Sequence, residues 1–129
     1  MNRKYLDDIG ITDRWDTWGL GDEEAVKEHQ KQQSVYGFDA RETFSLDHAF
    51  YLWLYERLMM YKEIACVNLE FHKFDFHGET FTQLQLIDRI LDDLRFIFRE
   101  DYNGFDPGQF KREQEIGEIW ALILPAMWW

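Results

Sequence analysis

The stretch ETFTQLQLIDRILDDLRFIFREDYNG places apolar residues at steps of three and four. These residues are Leu84, Ile87, Leu91, Leu94 and Phe98. Such spacing puts them on one face of an α-helix, which is stable only when another element covers that face. Thr80 and Gln83 have the spacing of a capping box, and Gly104 follows as a stop. The pattern therefore predicts an amphipathic helix here.

Three other stretches carry helix signals. Asp22 and Gly37 suit the start and the end of a helix in GDEEAVKEHQKQQSVYG. Ser45 can cap a helix in TFSLDHAFYLWLYERLMMYKEIA, which is apolar almost all round and is therefore expected to be central. Asp106 and Pro107 suit the start of a last helix in FDPGQFKREQEIGEIWALILPAMWW, because proline is favoured at the first helical position.

The segment CVNLEFHKFDFHGE does not follow helical spacing. Val67, Leu69 and Phe71 alternate, and Phe74 and Phe76 alternate on the opposite parity. A short strand pair, a bulged strand or an extended loop fits this pattern. The predicted fold class is all-α, a small bundle of about four helices with a short extended or β-hairpin-like excursion between helices 2 and 3. Because the sequence contains no linker and no internal repeat, we predict that residues 1–129 form a single globular helical domain.

Two tryptophans, Trp128 and Trp129, close the sequence. Indole is a large apolar group and gains free energy when it is covered. Pro125 should bend or end the last helix, because its ring clashes with the carbonyl group four residues earlier. We expect the redirected chain to pack Trp128 into the bundle, with Trp129 near Trp15 or Trp18.

The formal net charge of −11 restricts the partners of this chain. Nucleic acids and anionic membranes repel such a surface, so neither is expected as a direct partner, and a basic protein is the complementary one. The N-terminus has no apolar signal region, and no apolar stretch is long enough to span a bilayer. The single Cys66 forms no intramolecular disulfide. Together these features predict a cytoplasmic protein.

Motifs of common enzyme classes are missing from the sequence. It contains no Gly-rich phosphate loop, no paired CxxC, no HExxH and no GxSxG. All-α nucleotide pyrophosphohydrolases combine ExxE with ExxD, but this chain has only the ExxE from Glu115 to Glu118. We therefore predict that the protein is not an enzyme and uses no cofactor.

One segment, from Glu70 to Glu79 (EFHKFDFHGE), gathers side chains of the kind that bind metals. Its candidate ligands are His72, Asp75 and His77, because imidazole and carboxylate groups bind zinc and transition metals. A regular strand would point His72 and His77 to opposite sides. No metal is therefore predicted, although metal or small-ligand binding by this segment is kept as an alternative.

Two groups of residues are candidates for partner binding. The first group lies on the third predicted helix, away from its apolar face, and consists of Asp88, Asp92 and Asp93. The second group lies in DRWDTWGLG and consists of Asp13, Trp15, Asp16 and Trp18. Acidic residues steer a basic partner, and tryptophan often anchors an interface. Solvated acidic faces and a lid formed by the two tryptophans are the structural alternatives.

The sequence also resembles a family of small uncharacterised proteins of tailed phages and prophages. The resemblance covers residues 34–129 and rests on FSLDHAF, ERLMMYKE, FHKF and PAMWW. Its motif residues are Ser45, Leu46, Asp47, Arg57, Leu58, Tyr61, Lys62, Glu63, Trp128 and Trp129. They support the fold rather than an activity. The resemblance implies a phage-derived accessory protein acting in the bacterial cytoplasm, where such proteins disable host machinery.

The leading functional hypothesis is a non-enzymatic inhibitor, an acidic phage accessory protein that binds a basic host protein. That partner would handle nucleic acid or act in defence, as a CRISPR effector or another defence nuclease does, so the inhibitor would be anti-CRISPR-like or DNA-mimic-like. The alternatives are a small-ligand or metal-binding protein and a structural or morphogenetic phage component. The sequence leaves a homodimer open.

Overall fold

The computed structural model describes residues 2–65, 68–99 and 107–128 of the chain. These residues divide between two compact units, Met1–Glu56 and Arg57–Trp129. The single domain expected from the sequence stays a prediction. Five positions named in the sequence analysis lie outside the described residues, namely Cys66, Val67, Gly104, Asp106 and Trp129.

The described residues are mostly helical and contain seven α-helices. In chain order they are α1 (Lys4–Asp8), α2 (Glu23–Tyr36), α3 (Arg41–Phe44), α4 (Leu46–Ile64), α5 (Asn68–Phe71), α6 (Gln83–Arg99) and α7 (Pro107–Ile123). The helical class is confirmed, and the four long helices are those that the sequence predicts. The count of four is wrong because α1, α3 and α5 are about one turn long, too short to show a periodic pattern. Short 3₁₀ helices occupy Trp15–Thr17 and Leu124–Ala126.

A β-hairpin lies between α5 and α6. Its strands, β1 (Lys73–Phe76) and β2 (Glu79–Thr82), pair antiparallel. His77 and Gly78 form the turn with φ of 50° and 81°, as a two-residue hairpin turn requires. The strand pair, one of the three forms considered for this segment, is therefore confirmed. Leu69 and Phe71 belong to α5 instead of continuing the strand.

The ends of α2 agree with the sequence. The Asp22 carboxylate accepts hydrogen bonds from the backbone N–H groups of Glu24 and Ala25, at 3.1 and 3.2 Å. Gly37 closes the helix with φ of 84°, a conformation that glycine adopts without strain. The predicted start and end of this helix are confirmed.

The capping box of α6 is displaced by two residues from its predicted position. Thr82 Oγ1 accepts from the Gln85 backbone N–H at 3.2 Å, and Gln85 Oε1 accepts from the Thr82 N–H at 2.9 Å. Thr80 lies in β2 and donates its hydroxyl to Asp75 Oδ1. The prediction of Thr80 with Gln83 is wrong because the strand continues to Thr82 before the helix begins.

In the second unit, α6 and α7 pack together through their apolar faces. The buried residues of the two helices include Leu86, Ile87, Ile90, Leu91, Leu94, Ile116, Ile119 and Ile123. The α-helix ends at Ile123 and Pro125 lies in the 3₁₀ turn that follows, as its missing N–H leads one to expect.

In the first unit, the buried apolar residues are Leu6, Leu52, Leu54 and Tyr55. Helix α4 also carries exposed apolar residues, among them Leu46, Met60 and Ile64, and its expected central position stays a prediction. Within the described part of the chain, no helix combines the length and apolar character needed to cross a membrane.

Candidate functional site

Helix α2 is long but contributes nothing to the core. It spans fourteen residues, and none of them is buried. At its last turn, Val35 and Tyr36 are 65% and 67% exposed. A helix usually gains most of its stability by burying an apolar face, so this helix and the chain that follows present an open surface.

The exposed apolar residues continue beyond α2 to the start of α4. We define the 35–46 surface by five exposed side chains, Val35, Tyr36, Phe38, Phe44 and Leu46. Phe44 is 84% exposed, although a benzyl group gains free energy when it leaves water. The Tyr36 and Phe38 rings lie 6.1 Å apart, and Phe44 meets the Trp18 ring edge-to-face at 6.0 Å. Exposed apolar residues grouped in this way are typical of binding surfaces.

A buried carboxylate holds the backbone of this surface. Asp39 is 1% exposed and accepts from Gln33 Nε2 at 2.7 Å and from Arg41 Nη2 at 2.9 Å. Its other oxygen accepts from the backbone N–H and the Nε of Arg41, both at 3.0 Å. Burial opposes ionisation of Asp39, but the hydrogen bonds from Arg41 and Gln33 outweigh it and lower its pKa to about 2. Asp39 is therefore ionised at neutral pH and fixes the turn after α2.

Arg41 extends this network to the N-terminal tryptophans. Its Nη1 donates to the carbonyl oxygens of Trp18 and Asp16, at 2.9 and 3.2 Å. Its guanidinium carbon lies 5.6 Å from the centre of the Trp15 ring, and that of Arg3 lies 5.3 Å from the same ring. These cation–π contacts hold Trp15 in place. The 35–46 surface is thus attached to the 3₁₀ turn Trp15–Thr17.

The three arginines of the first unit all engage in internal ion pairs. Arg3 pairs with Glu56 and Asp16, Arg14 with Asp7 and Asp16, and Arg41 with Asp39. The exposed acidic residues of this unit are Asp7, Asp8, Asp13, Asp22, Glu23, Glu24, Glu28 and Asp47, and its exposed lysines are Lys4, Lys27 and Lys31. The accessible charge of the first unit, which carries the 35–46 surface, is therefore predominantly negative.

The residues predicted from DRWDTWGLG divide into two pairs. Asp16 and Trp15 make contacts within the first unit. The Asp16 side chain is 9% exposed and pairs with Arg3 and Arg14, and the Trp15 ring contacts the guanidinium groups of Arg3 and Arg41. Asp13 is exposed, and its carboxylate accepts from Trp18 Nε1 at 2.9 Å. Asp13 and Trp18 therefore lie beside Phe44 of the 35–46 surface, whereas Trp15 and Asp16 support it from inside.

The three predicted acids of α6 do not form one free acidic face. Asp88 pairs with Lys62 at 2.6 Å, and Asp92 pairs with Arg95 at 3.1 Å. Asp93 is 4% exposed and pairs with Arg112 at 3.0 Å. The expectation that Asp93 faces solvent is wrong because α7 covers it with a basic side chain. The remaining two carboxylates are partly neutralised by their lysine and arginine partners.

The candidate metal ligands of the hairpin region each have a different neighbour. His77 Nε2 lies 2.8 Å from Glu118 Oε2, and Asp75 accepts from Thr80. His72 contacts the rings of Phe71 and Trp128. Across the described residues, no group of three or more His, Cys, Asp or Glu side chains is arranged to hold a metal ion.

Trp128 does not pack into the core. Its side chain is 66% exposed, and its ring centre lies 6.4 Å from that of His72. The expected burial of Trp128 is wrong because the chain leaves the 3₁₀ turn Leu124–Ala126 in an irregular conformation that keeps the indole at the surface.

No protein family, curated protein or solved structure matches this chain. The resemblance to phage proteins stays a prediction. Sequence analysis missed the 35–46 surface because its apolar residues follow no period. The available signal was the run VYGFDARETFSL, in which aromatic residues surround a glycine and an Asp-x-Arg pair.

Proposed function

We propose that this chain is a non-enzymatic protein-binding protein that uses the 35–46 surface to bind a basic partner. The observation that supports this proposal is the exposed aromatic side chains on a backbone held by the buried Asp39–Arg41 pair. A surface fixed before binding loses little conformational entropy when a partner docks. The aromatic side chains would supply the buried contact area, as tryptophan and tyrosine do in most interfaces.

The charge of the first unit determines the class of partner that we propose. The exposed carboxylates of α2 and that of Asp13 attract a basic protein and repel nucleic acid. A bacterial host protein with a basic groove for nucleic acid, such as a CRISPR effector or another defence nuclease, is the partner class that we propose. By occupying that groove, the chain would inhibit its partner in the cytoplasm, as the resemblance to phage accessory proteins implies.

The test is a competition experiment with immobilised full-length protein and purified basic nucleic-acid-binding proteins from a bacterial host. We expect capture of one of them, weaker capture at high salt, and displacement of the partner by duplex DNA. The double variant Tyr36→Ala with Phe44→Ala should lose the partner while keeping its melting temperature. The matched control is Phe110→Ala, because Phe110 is 56% exposed on α7.

Three results would contradict this proposal. A partner retained equally by the double variant and by the control would place the interface elsewhere. A partner that binds duplex DNA and this protein simultaneously would remove the inhibitor mechanism. A molar mass in solution that rises with concentration and falls in Phe44→Ala would identify a second copy, instead of a basic protein, as the occupant of the surface.

A further inference from the structure

The second unit contains a cleft of about 430 Å³ between the β-hairpin and α7. Phe76 and Phe81 supply its apolar part, and their ring centres lie 6.3 Å apart. The Arg89 guanidinium lies 5.4 and 5.3 Å from these two rings and donates to Glu115. A cleft of this volume is large enough for a small organic molecule.

Two charged residues of this cleft have no ion-pair partner in the described part of the chain. They are Lys111 and Glu79, and both are exposed. The other charged lining residues already have partners, since Arg89 pairs with Glu115 and Glu118 Oε2 lies 2.8 Å from His77 Nε2. A ligand would therefore meet one available ammonium group and one available carboxylate beside an aromatic wall.

This combination of charges discriminates between ligand classes. A nucleotide would bring several negative charges beside the unpaired carboxylate of Glu79, which would repel them. A dication would be repelled by the unpaired ammonium group of Lys111. A molecule with one charge of each sign and an apolar body avoids both penalties.

We propose that this cleft binds a small zwitterion with an apolar body, of the class of a free aromatic amino acid. Lys111 binds its carboxylate, Glu79 binds its ammonium group, and the Phe76–Phe81 wall contacts its side chain. This site lies in the second unit and is separate from the 35–46 surface, so the two proposals can fail independently.

The test uses three probes on the isotope-labelled full chain, namely L-phenylalanine, 3-phenylpropanoate and phenethylamine. The last two each lack one of the charged groups. We expect L-phenylalanine to shift the amide signals of residues 73–82 and 111–118 and to bind roughly tenfold more tightly than either analogue, the worth of one charge-assisted hydrogen bond.

Two variants test which residue binds each charged group of the ligand. Lys111→Gln should abolish the advantage of L-phenylalanine over phenethylamine, and Glu79→Gln should abolish its advantage over 3-phenylpropanoate. The matched controls are Lys73→Gln and Glu70→Gln, exposed residues outside the cleft lining. Equal binding of the three probes, an absence of shifts at millimolar probe, or unchanged preferences in both variants would overturn the proposal.

Discussion

Asp93 on α6 and Glu115 on α7 bring two carboxyl groups against each other inside the second unit. Burial and the neighbouring Glu115 carboxylate raise the pKa of Asp93 to about 7, against the opposing charge of Arg112. Burial also opposes ionisation of Glu115, but hydrogen bonds with Asp93 and Arg89 outweigh it and lower its pKa. Asp93 Oδ2 is buried without a donor group among the described residues. A proton on Asp93 therefore turns this contact into a hydrogen bond, and the pair shares one proton near neutral pH.

We predict that this pair makes stability fall as pH rises toward neutrality. In the unfolded chain Asp93 ionises near 3.8, whereas in the folded chain it keeps its proton until about pH 7. Between these values the folded state binds the extra proton, so the free energy of unfolding decreases with increasing pH. The lowered pKa of Glu115 affects stability only below its ordinary value of 4.5, and therefore outside the range from pH 5 to pH 8. Urea unfolding of the parent from pH 5 to pH 8 measures the decrease.

Asp93→Asn isolates that effect, since the amide donates to Glu115 but does not titrate. We expect the free energy of unfolding of this variant, relative to that of the parent, to increase as pH rises. The increase should reach on the order of a few kcal/mol by pH 8, since one pKa unit corresponds to about 1.4 kcal/mol. Asp92→Asn is the control, because Asp92 is exposed on the same helix. A difference between Asp93→Asn and the parent that stays constant with pH would show that Asp93 is already ionised.

Asp39 should have the opposite pH dependence. Its pKa is lowered from 3.8 to about 2, so the stability that it contributes is present above 3.8 and is lost as pH falls toward 2. Asp39→Asn leaves Arg41 without its carboxylate, and we expect a cost of about 3 kcal/mol at pH 7 that shrinks in acid. Chemical unfolding at pH 7 and pH 2.5 measures both quantities. Asp8→Asn is the control, since an exposed pair with Lys4 contributes less than about 1 kcal/mol; equal costs for the two variants would contradict the buried network.

The displaced capping box gives a third prediction. Thr82→Ala should destabilise the protein by about 1 kcal/mol, because it leaves the Gln85 N–H at the start of α6 without an acceptor. Thr80→Ala removes only an exposed contact with Asp75 and should cost less. Thermal melting of the two variants compares these positions directly. A larger loss for Thr80→Ala would mean that the helix begins earlier than Gln83.

Periodicity and caps predicted the long helices, because these signals lie within a single segment. Asp22, Gly37 and Pro107 carry their information locally, and the structure uses each of them as expected. Position 93 shows the limit of this approach. Aspartate is polar and was assigned to the solvent face, but Arg112 from α7 pairs with it, and no pattern within α6 shows that contact.

The 35–46 surface was harder to predict because its backbone is held by contacts between residues that are not adjacent in the sequence. The burial of Asp39 depends on Gln33 and Arg41, which meet only after the chain turns at Gly37. Sequence analysis identified Trp18 and Asp13 through their unusual local composition, and both lie beside Phe44. It did not identify Tyr36 or Phe38, because an aromatic residue at the end of a helix is normally expected to be buried.

The C-terminal tryptophan provides the last prediction. Trp128 is 66% exposed and makes an edge contact with His72, so most of the indole remains in water in the folded protein. Removing a side chain that is already solvated changes the free energy of unfolding little, and Trp128→Ala should cost less than about 0.5 kcal/mol. Thermal melting with an apolar dye should show an unchanged midpoint and no new dye binding.

Leu91→Ala is the comparison, because Leu91 on α6 is fully buried and its truncation should cost about 2–5 kcal/mol. The contrast between the two variants separates a surface indole from a core residue in one experiment. If Trp128→Ala instead lowered the midpoint by several degrees and exposed dye-binding surface, the indole would be covered in solution, and the terminal segment would stabilise the second unit as the sequence first suggested.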